Sequence, residues 1–197
     1  MPTLYTVGHS SHTLGEFTAL LRRHGVTALA DVRSAPYSQY TPQFNREMLK
    51  AALQDEGVAY VFLGDQLGAR PSHPACYDND GRVDFAKTAA QKFFREGLER
   101  VRAGAEKFKL ALMCSEKEPE QCHRMVLVCR NLRAPGFEIR HILEDGALED
   151  NRDTEARLLK KFKIAPSFFT TAEQDTEEAY DRQARKIAFR KEDETES

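Results

Sequence analysis

No excess of either charge marks this chain: 29 lysines and arginines stand against 31 aspartates and glutamates over 197 residues, a formal net charge of −2. Such a balance offers no basic field for gripping long duplex nucleic acid, and leaves room only for a local basic pocket. A long apolar run and a secretory leader are both missing, so neither a membrane partner nor export is expected and the chain reads as cytoplasmic. Four cysteines are too few for a disulfide scaffold at this length and fit reduced thiols. With no internal repeat and 41% hydrophobic residues, one domain over residues 1–190 is expected. Its core is residues 1–150, its helical extension residues 151–190, and residues 191–197, which carry no apolar side chain, read as a disordered tail.

What the chain does have is a repeated local grammar, an apolar strand that runs into a polar loop. Leu4 to Val7 leads into Gly8-His9-Ser10, and Thr13 with Glu16 then forms a capping-box helix start. Thr27 to Val32 leads into Asp31-Val32-Arg33-Ser34-Ala35-Pro36-Tyr37-Ser38, where the proline stops regular structure. Phe108 to Met113 leads into Cys114-Ser115-Glu116, and Pro119 suits the first position of a helix reaching Leu132 that carries Cys122, His123 and Arg124. On a straight helix the adjacent Cys122 and His123 diverge by about a hundred degrees and need not share a target.

Elsewhere, Phe44 to Glu56 has helical periodicity, Val58 to Phe62 reads as a strand, Phe85 to Ala105 as a helix, and Glu138 to Ile142 as a fifth strand. Leu63 to Asp84 holds five glycines and prolines and resembles a binding loop or lid carrying Arg70, His73, Cys76 and Arg82. Helices over Thr154–Phe162 and Ala172–Phe189 flank a breaker at Ala165 to Phe169. The fold class is therefore α/β, with βαβ units giving a mostly parallel central sheet of about five strands and helices on both faces. In such sheets ligands bind beyond the carboxyl ends of the strands, so the three loops gather Gly8, His9, Ser10, Asp31, Arg33, Ser38, Cys114, Glu116, Cys122, His123 and Arg124 along one rim.

Thr6-Val7-Gly8-His9-Ser10, Asp31-Val32-Arg33 with Pro36 and Ser38, Pro42-Gln43-Phe44-Asn45, Leu63-Gly64 through Leu67-Gly68, and Met113-Cys114-Ser115-Glu116 with Cys122-His123-Arg124 resemble the bacterial and archaeal domain of unknown function family 488. His141-Ile142 followed by Asp145-Gly146 continues the pattern, while Gln39 and Ala69 depart from it. The resemblance implies the fold and the location of the site, and leaves the reaction to the residues.

Those residues support three chemistries. In the first, Cys114 attacks an anionic small molecule or nucleotide-like ligand in thiol-assisted transfer or hydrolysis, with His9 or His123 moving protons and Arg33 and Arg124 binding the anion. Gly8, Ser10, Asp31, Ser38, Glu116 and Cys122 line that site. A strand end followed by a helix start makes Cys114 the expected reactive thiol, whereas Cys129 is a small core hydrophobe. The compact C-x5-R phosphate loop is absent, because Glu120 stands six residues after Cys114. In the second, Cys114, Cys122 and His123, with His9 as a fourth ligand, hold zinc or iron, although C-x7-C-H lacks the paired spacing of structural zinc. In the third, a non-catalytic module holds a nucleotide or flipped base against Tyr37, Tyr40 or Phe44. No cofactor, metal or oligomeric state is assigned by the sequence itself.

Overall fold

The computed structural model describes residues 2–133 and 136–191. The expected tail beyond Lys191 therefore lies outside the described residues. Six strands form one sheet in the order β3-β2-β4-β1-β5-β6, where β1 is Thr3–Gly8, β2 Ala28–Asp31, β3 Ala59–Phe62, β4 Leu110–Cys114, β5 Glu138–Ile142 and β6 Leu148–Asp150. The first five are mutually parallel, and β6 pairs antiparallel to β5. The sixth strand is an addition to the expected five, and its three residues are too few to show a periodicity.

Alternation along the strands sends side chains to two cores. Tyr5, Val7, Leu29, Ala111 and Met113 meet Phe17 and Leu21 of α1 (Leu14–Arg23) and Leu49 and Leu53 of α2 (Arg46–Asp55). Leu4, Ala28, Ala30, Leu110 and Leu112 pack on the opposite face, with α5 (Lys92–Lys107), α6 (Asn151–Lys161) and α7 (Ala172–Ile187). Two short helices, α3 (Gly64–Leu67) and α4 (Phe85–Ala89), precede α5. The periodicity that reads as one helix over Phe85–Ala105 breaks at Ala90 and Gln91, and Gln91 is extended at the start of α5.

Two further segments depart from expectation. The stretch 63–84 is strapped down rather than a free lid: Cys76 is fully buried, Arg82 donates to the Arg185 carbonyl, and the Val83 amide donates to the Phe189 carbonyl. The helix expected over Pro119–Leu132 is instead a 3-10 turn at Pro119–Gln121, a π-helical turn at Arg124–Val128 and a 3-10 turn at Cys129–Asn131. Between them Cys122 is extended, with φ −126° and ψ 139°.

The chain leaves β1 toward β2 and leaves β4 toward β5, in opposite directions, so the adjacent ends of β1 and β4 form the topological switch point of the sheet. There the β1 loop keeps pairing with the β4 loop, His9 N to the Cys114 carbonyl at 2.9 Å and Ser10 N to the Ser115 carbonyl at 2.9 Å. Gly8 makes that approach possible, since a Cβ there would sit 1.9 Å from the Glu116 carbonyl oxygen. Gly8→Ala should therefore lose about 1–3 kcal/mol or more of stability, as overpacked sites do. Gly15→Ala, where an added Cβ meets nothing within 4 Å, should be neutral or stabilising by up to about 1 kcal/mol. Denaturant unfolding of the two variants tests the contrast, and equal effects would refute the close-approach argument.

Candidate metal centre at the sheet edge

The rim residues fall into two groups. On the α1/α2 side, Arg33 grips Asp31 with two bonds, Nε to Oδ1 at 2.9 Å and Nη2 to Oδ2 at 2.7 Å, and also donates to the Phe44 carbonyl at 2.9 Å. Tyr60 donates its hydroxyl to the same carboxylate at 2.8 Å. His9 stacks on Phe44 with ring centroids 4.2 Å apart. Its Nδ1 lies 3.0 Å from the Ser10 carbonyl, which can only accept, so Nδ1 carries the proton and Nε2 accepts from Arg33 Nη1 at 3.4 Å. Burial, then the charge of Arg33, lowers the His9 pKa to about 4, which keeps the ring neutral. Ser10 has φ 46°, a left-handed conformation rare for a side-chain-bearing residue. Ser38 caps its own turn, accepting from the amides of Tyr40 and Thr41, and Tyr37 and Tyr40 are exposed.

The second group is tighter. One ligand-capable atom from each of Cys114, Glu116, Cys122 and His123 lies within 4.8 Å of all the others. Cys114 ends β4, and Cys122 and His123 reach it because Cys122 is extended rather than helical, so the two adjacent side chains converge instead of diverging. His123 Nδ1 faces both sulfurs, at 3.6 Å from Cys114 and 3.8 Å from Cys122. Its Nε2 donates to the Val32 carbonyl at 2.9 Å, which leaves Nδ1 as the ring nitrogen that faces the sulfurs. Glu116 is exposed as a residue, yet its Oε2 turns inward to 2.9 Å from each sulfur. His9 is outside this cluster, and Glu116 takes the place expected for it.

Arg124 lies beneath the loop and is fully buried. It donates Nη1 to the Glu116 carbonyl at 2.6 Å, Nη2 to the Lys117 carbonyl at 2.9 Å and Nε to Thr6 Oγ1 at 3.4 Å. Among the described residues no carboxylate forms an ion pair with it, so its charge is met only by neutral acceptors and by the cluster it supports. Burial pushes the Cys122 thiol up, but a hydrogen bond from Cys114 and the charges of Arg124 and His123 outweigh this and hold it well below its ordinary value. Cys114 moves the other way, driven up by burial and by the neighbouring Cys122 and Glu116. These directions favour ionisation at Cys122 over Cys114, whereas strand-end location alone points to Cys114. Cys129, buried in the core, is pushed up as expected, above the ordinary thiol range.

Three supporting residues escaped the sequence reading as site members. Tyr60 reads as a strand residue, Thr6 as part of β1, and His141 is noticed there only through the family pattern. Thr6 Oγ1 lies 2.8 Å from His141 Nδ1, and His141 Nε2 lies 3.0 Å from Asn151 Oδ1, which continues the polar chain from Arg124 into α6. Polar residues at inward positions of otherwise apolar strands were the available signal.

Residues 13–130, more than half of the chain, match the family described as Domain of unknown function DUF488. The chain belongs to that family. Cys114, Glu116, Cys122 and His123 all lie inside the DUF488 match, whereas Gly8, His9 and Ser10 precede it. No curated protein and no solved structure matches the chain. Among the described residues no helix is long and apolar enough to cross a membrane.

Burial, then the charge of Arg124, lowers the His141 pKa from 6.5 to about 3. The folded chain holds this ring neutral while the unfolded chain takes up its proton first, so stability is complete above pH 6.5 and is lost as pH falls toward 3. The loss approaches about 1.4 kcal/mol per pH unit. His141→Gln should flatten the stability slope between pH 6 and 4.5 by about one proton, as read from denaturant unfolding at several pH values. An unchanged slope would show that His141 is charged in the fold.

Proposed function

We propose that this DUF488 protein is a metalloprotein in which Cys114, Cys122 and His123 hold a thiolate-preferring divalent ion of the zinc class, with the Glu116 carboxylate at the solvent side. The observation that carries the proposal is the convergence of these four side chains within 4.8 Å of one another. An ion about 2.3 Å from sulfur and about 2.0 Å from nitrogen needs sulfur-to-nitrogen edges of about 3.5 Å in a tetrahedron. The edges here are 3.6 and 3.8 Å. Two sulfurs and an imidazole select zinc over hard, oxygen-seeking ions such as magnesium or calcium. The Nε2 bond to Val32 is the outer support expected of a ligating histidine.

Charge favours the same reading. A divalent ion with two thiolates and a carboxylate carries a net charge of minus one, and the buried guanidinium of Arg124 supplies the balancing positive charge. Thiolate ligands require reduced cysteines, which accords with a reducing cytoplasm. The lowered pKa of Cys122 favours a second reading, thiol chemistry on an anionic small molecule with Cys122 rather than Cys114 as nucleophile. Metal content separates the two.

Protein purified without chelator and then titrated with zinc should bind one equivalent per chain. A hundredfold excess over the dissociation constant should stabilise the fold by about 2.7 kcal/mol. Cys122→Ser and His123→Ala should each weaken binding by more than the roughly 10–100-fold seen on losing an outer-sphere partner. Cys76→Ser should leave it unchanged. If folded protein takes up no zinc, or if the ligand variants bind as tightly as the native chain, the metal reading is wrong.

A further inference from the structure

Resting on the metal reading above, we infer that the centre is catalytic in type: Cys114, Cys122 and His123 are its permanent ligands, its fourth position holds water, and Glu116 is the base for that water in hydrolysis of a small substrate at a trigonal carbon. The argument begins from an asymmetry among the four groups. Cys114, Cys122 and His123 are 3%, 1% and 5% exposed, whereas Glu116 is an exposed residue on the loop. The buried three are fixed by backbone: Cys114 ends a strand paired on both sides, the Arg124 amide donates to Cys122 Sγ at 3.4 Å, and Val32 anchors His123. Among the described residues, the Glu116 carboxylate has hydrogen bonds to the two sulfurs alone.

Those contacts are hydrogen bonds accepted from the two thiols and do not have the spacing of fellow ligands. Oε2 lies 2.9 Å from each sulfur, whereas vertices of a zinc tetrahedron shared with sulfur stand about 3.5 Å apart. Thiolates bound to a metal have no proton to donate, and a carboxylate cannot keep that distance from two anionic sulfurs. It moves outward, and the solvent-side vertex is assigned to water, with the carboxylate within hydrogen-bonding reach of it. Three protein ligands plus an exchangeable water distinguish catalytic from structural zinc. The order along the chain is also telling, because Glu116 follows the first ligand by two residues. In zinc deaminases a glutamate in the same relation to a ligand carries protons without binding the metal. The vertex opens at the switch point of the sheet, where α/β proteins place their ligands.

The step balances without a redox partner. With an ion in place, Glu116 would take one proton from the water at the open vertex, and the oxygen of that water would bond to the trigonal carbon as the π electrons of the carbon–heteroatom double bond shift to the heteroatom. The tetrahedral adduct then re-forms the double bond and breaks the bond to the leaving group, which takes the proton back from Glu116. One water is consumed, and nothing is oxidised or reduced.

The test uses the full chain, loaded with cobalt(II) for spectroscopy and with zinc for turnover of 4-nitrophenyl acetate. The native cobalt protein should change its visible absorption on adding azide, which occupies the water position. Glu116→Gln should bind cobalt within about threefold of the native affinity and respond to azide in the same way, yet its zinc form should hydrolyse the ester about a hundredfold more slowly. A native spectrum blind to azide, a tenfold or greater loss of metal affinity in Glu116→Gln, or equal ester hydrolysis by the two proteins overturns the inference. Native protein that binds no cobalt at all would instead bring down the metal reading on which it rests.

Discussion

A single guanidinium organises the sheet edge. Arg124 is fully buried, and its three donor groups hold the Glu116 and Lys117 carbonyls and the Thr6 hydroxyl. A buried cation without a carboxylate partner costs several kcal/mol unless other charge answers it. Here the side chain placed to answer it is Cys122, whose pKa the charge of Arg124 lowers. The same side chain thus shapes the loop that carries Glu116 and fixes the sign of the cluster above it. That double constraint explains why the position cannot be read as a surface anion grip, since each of its nitrogens already has a partner inside the fold.

Geometry at the backbone level serves the same end. An α-helix from Pro119 onward would have pointed Cys122 and His123 in different directions, and the extended Cys122 followed by a π-helical turn removes that difficulty. Interruptions of this kind are costly relative to a regular helix and gather at functional sites. The left-handed Ser10 and the close approach at Gly8 are neighbouring departures, on the strand that borders β4. Irregular backbone is therefore concentrated at the switch point, while α5 and α7 run regularly for 16 residues each.

Much of this was legible in the sequence, and the reasons it stopped being legible are specific. Strand ends announced themselves because Gly8, Asp31 and Cys114 follow apolar runs, and the capping box of Thr13 with Glu16 marked α1. The convergence of Cys122 and His123 was hidden because periodicity over 125–132 suggests a helix beginning at Pro119, and periodicity carries no information about a single extended residue. The electrostatics of the two thiols were hidden for a related reason: location at a strand end speaks for Cys114, but a thiol pKa also follows the buried charges around it, and Arg124 and His123 both lower that of Cys122. The break at Ala90 and Gln91 and the three-residue β6 are tertiary outcomes with little local signature.

The extension after the sheet contributes to the centre without touching it. Gln183 of α7 donates to the Glu120 carbonyl at 2.6 Å, and Arg157 and Lys161 of α6 pair with the Glu120 carboxylate at 3.1 and 3.3 Å. Glu120 belongs to the 3-10 turn that delivers Cys122, so two helices outside the DUF488 match brace the turn that sets a candidate ligand inside it. On the other side, His141 and Asn151 extend the polar chain that begins at Arg124. The four candidate ligands thus belong to the DUF488 segment, while Thr6, Gly8, His141 and Gln183, which hold the surrounding backbone, come from the chain on either side of it. A segment cut at residues 13 and 130 would keep the donor atoms and lose the strand, the buried relay and the braces that bring them within reach of one ion.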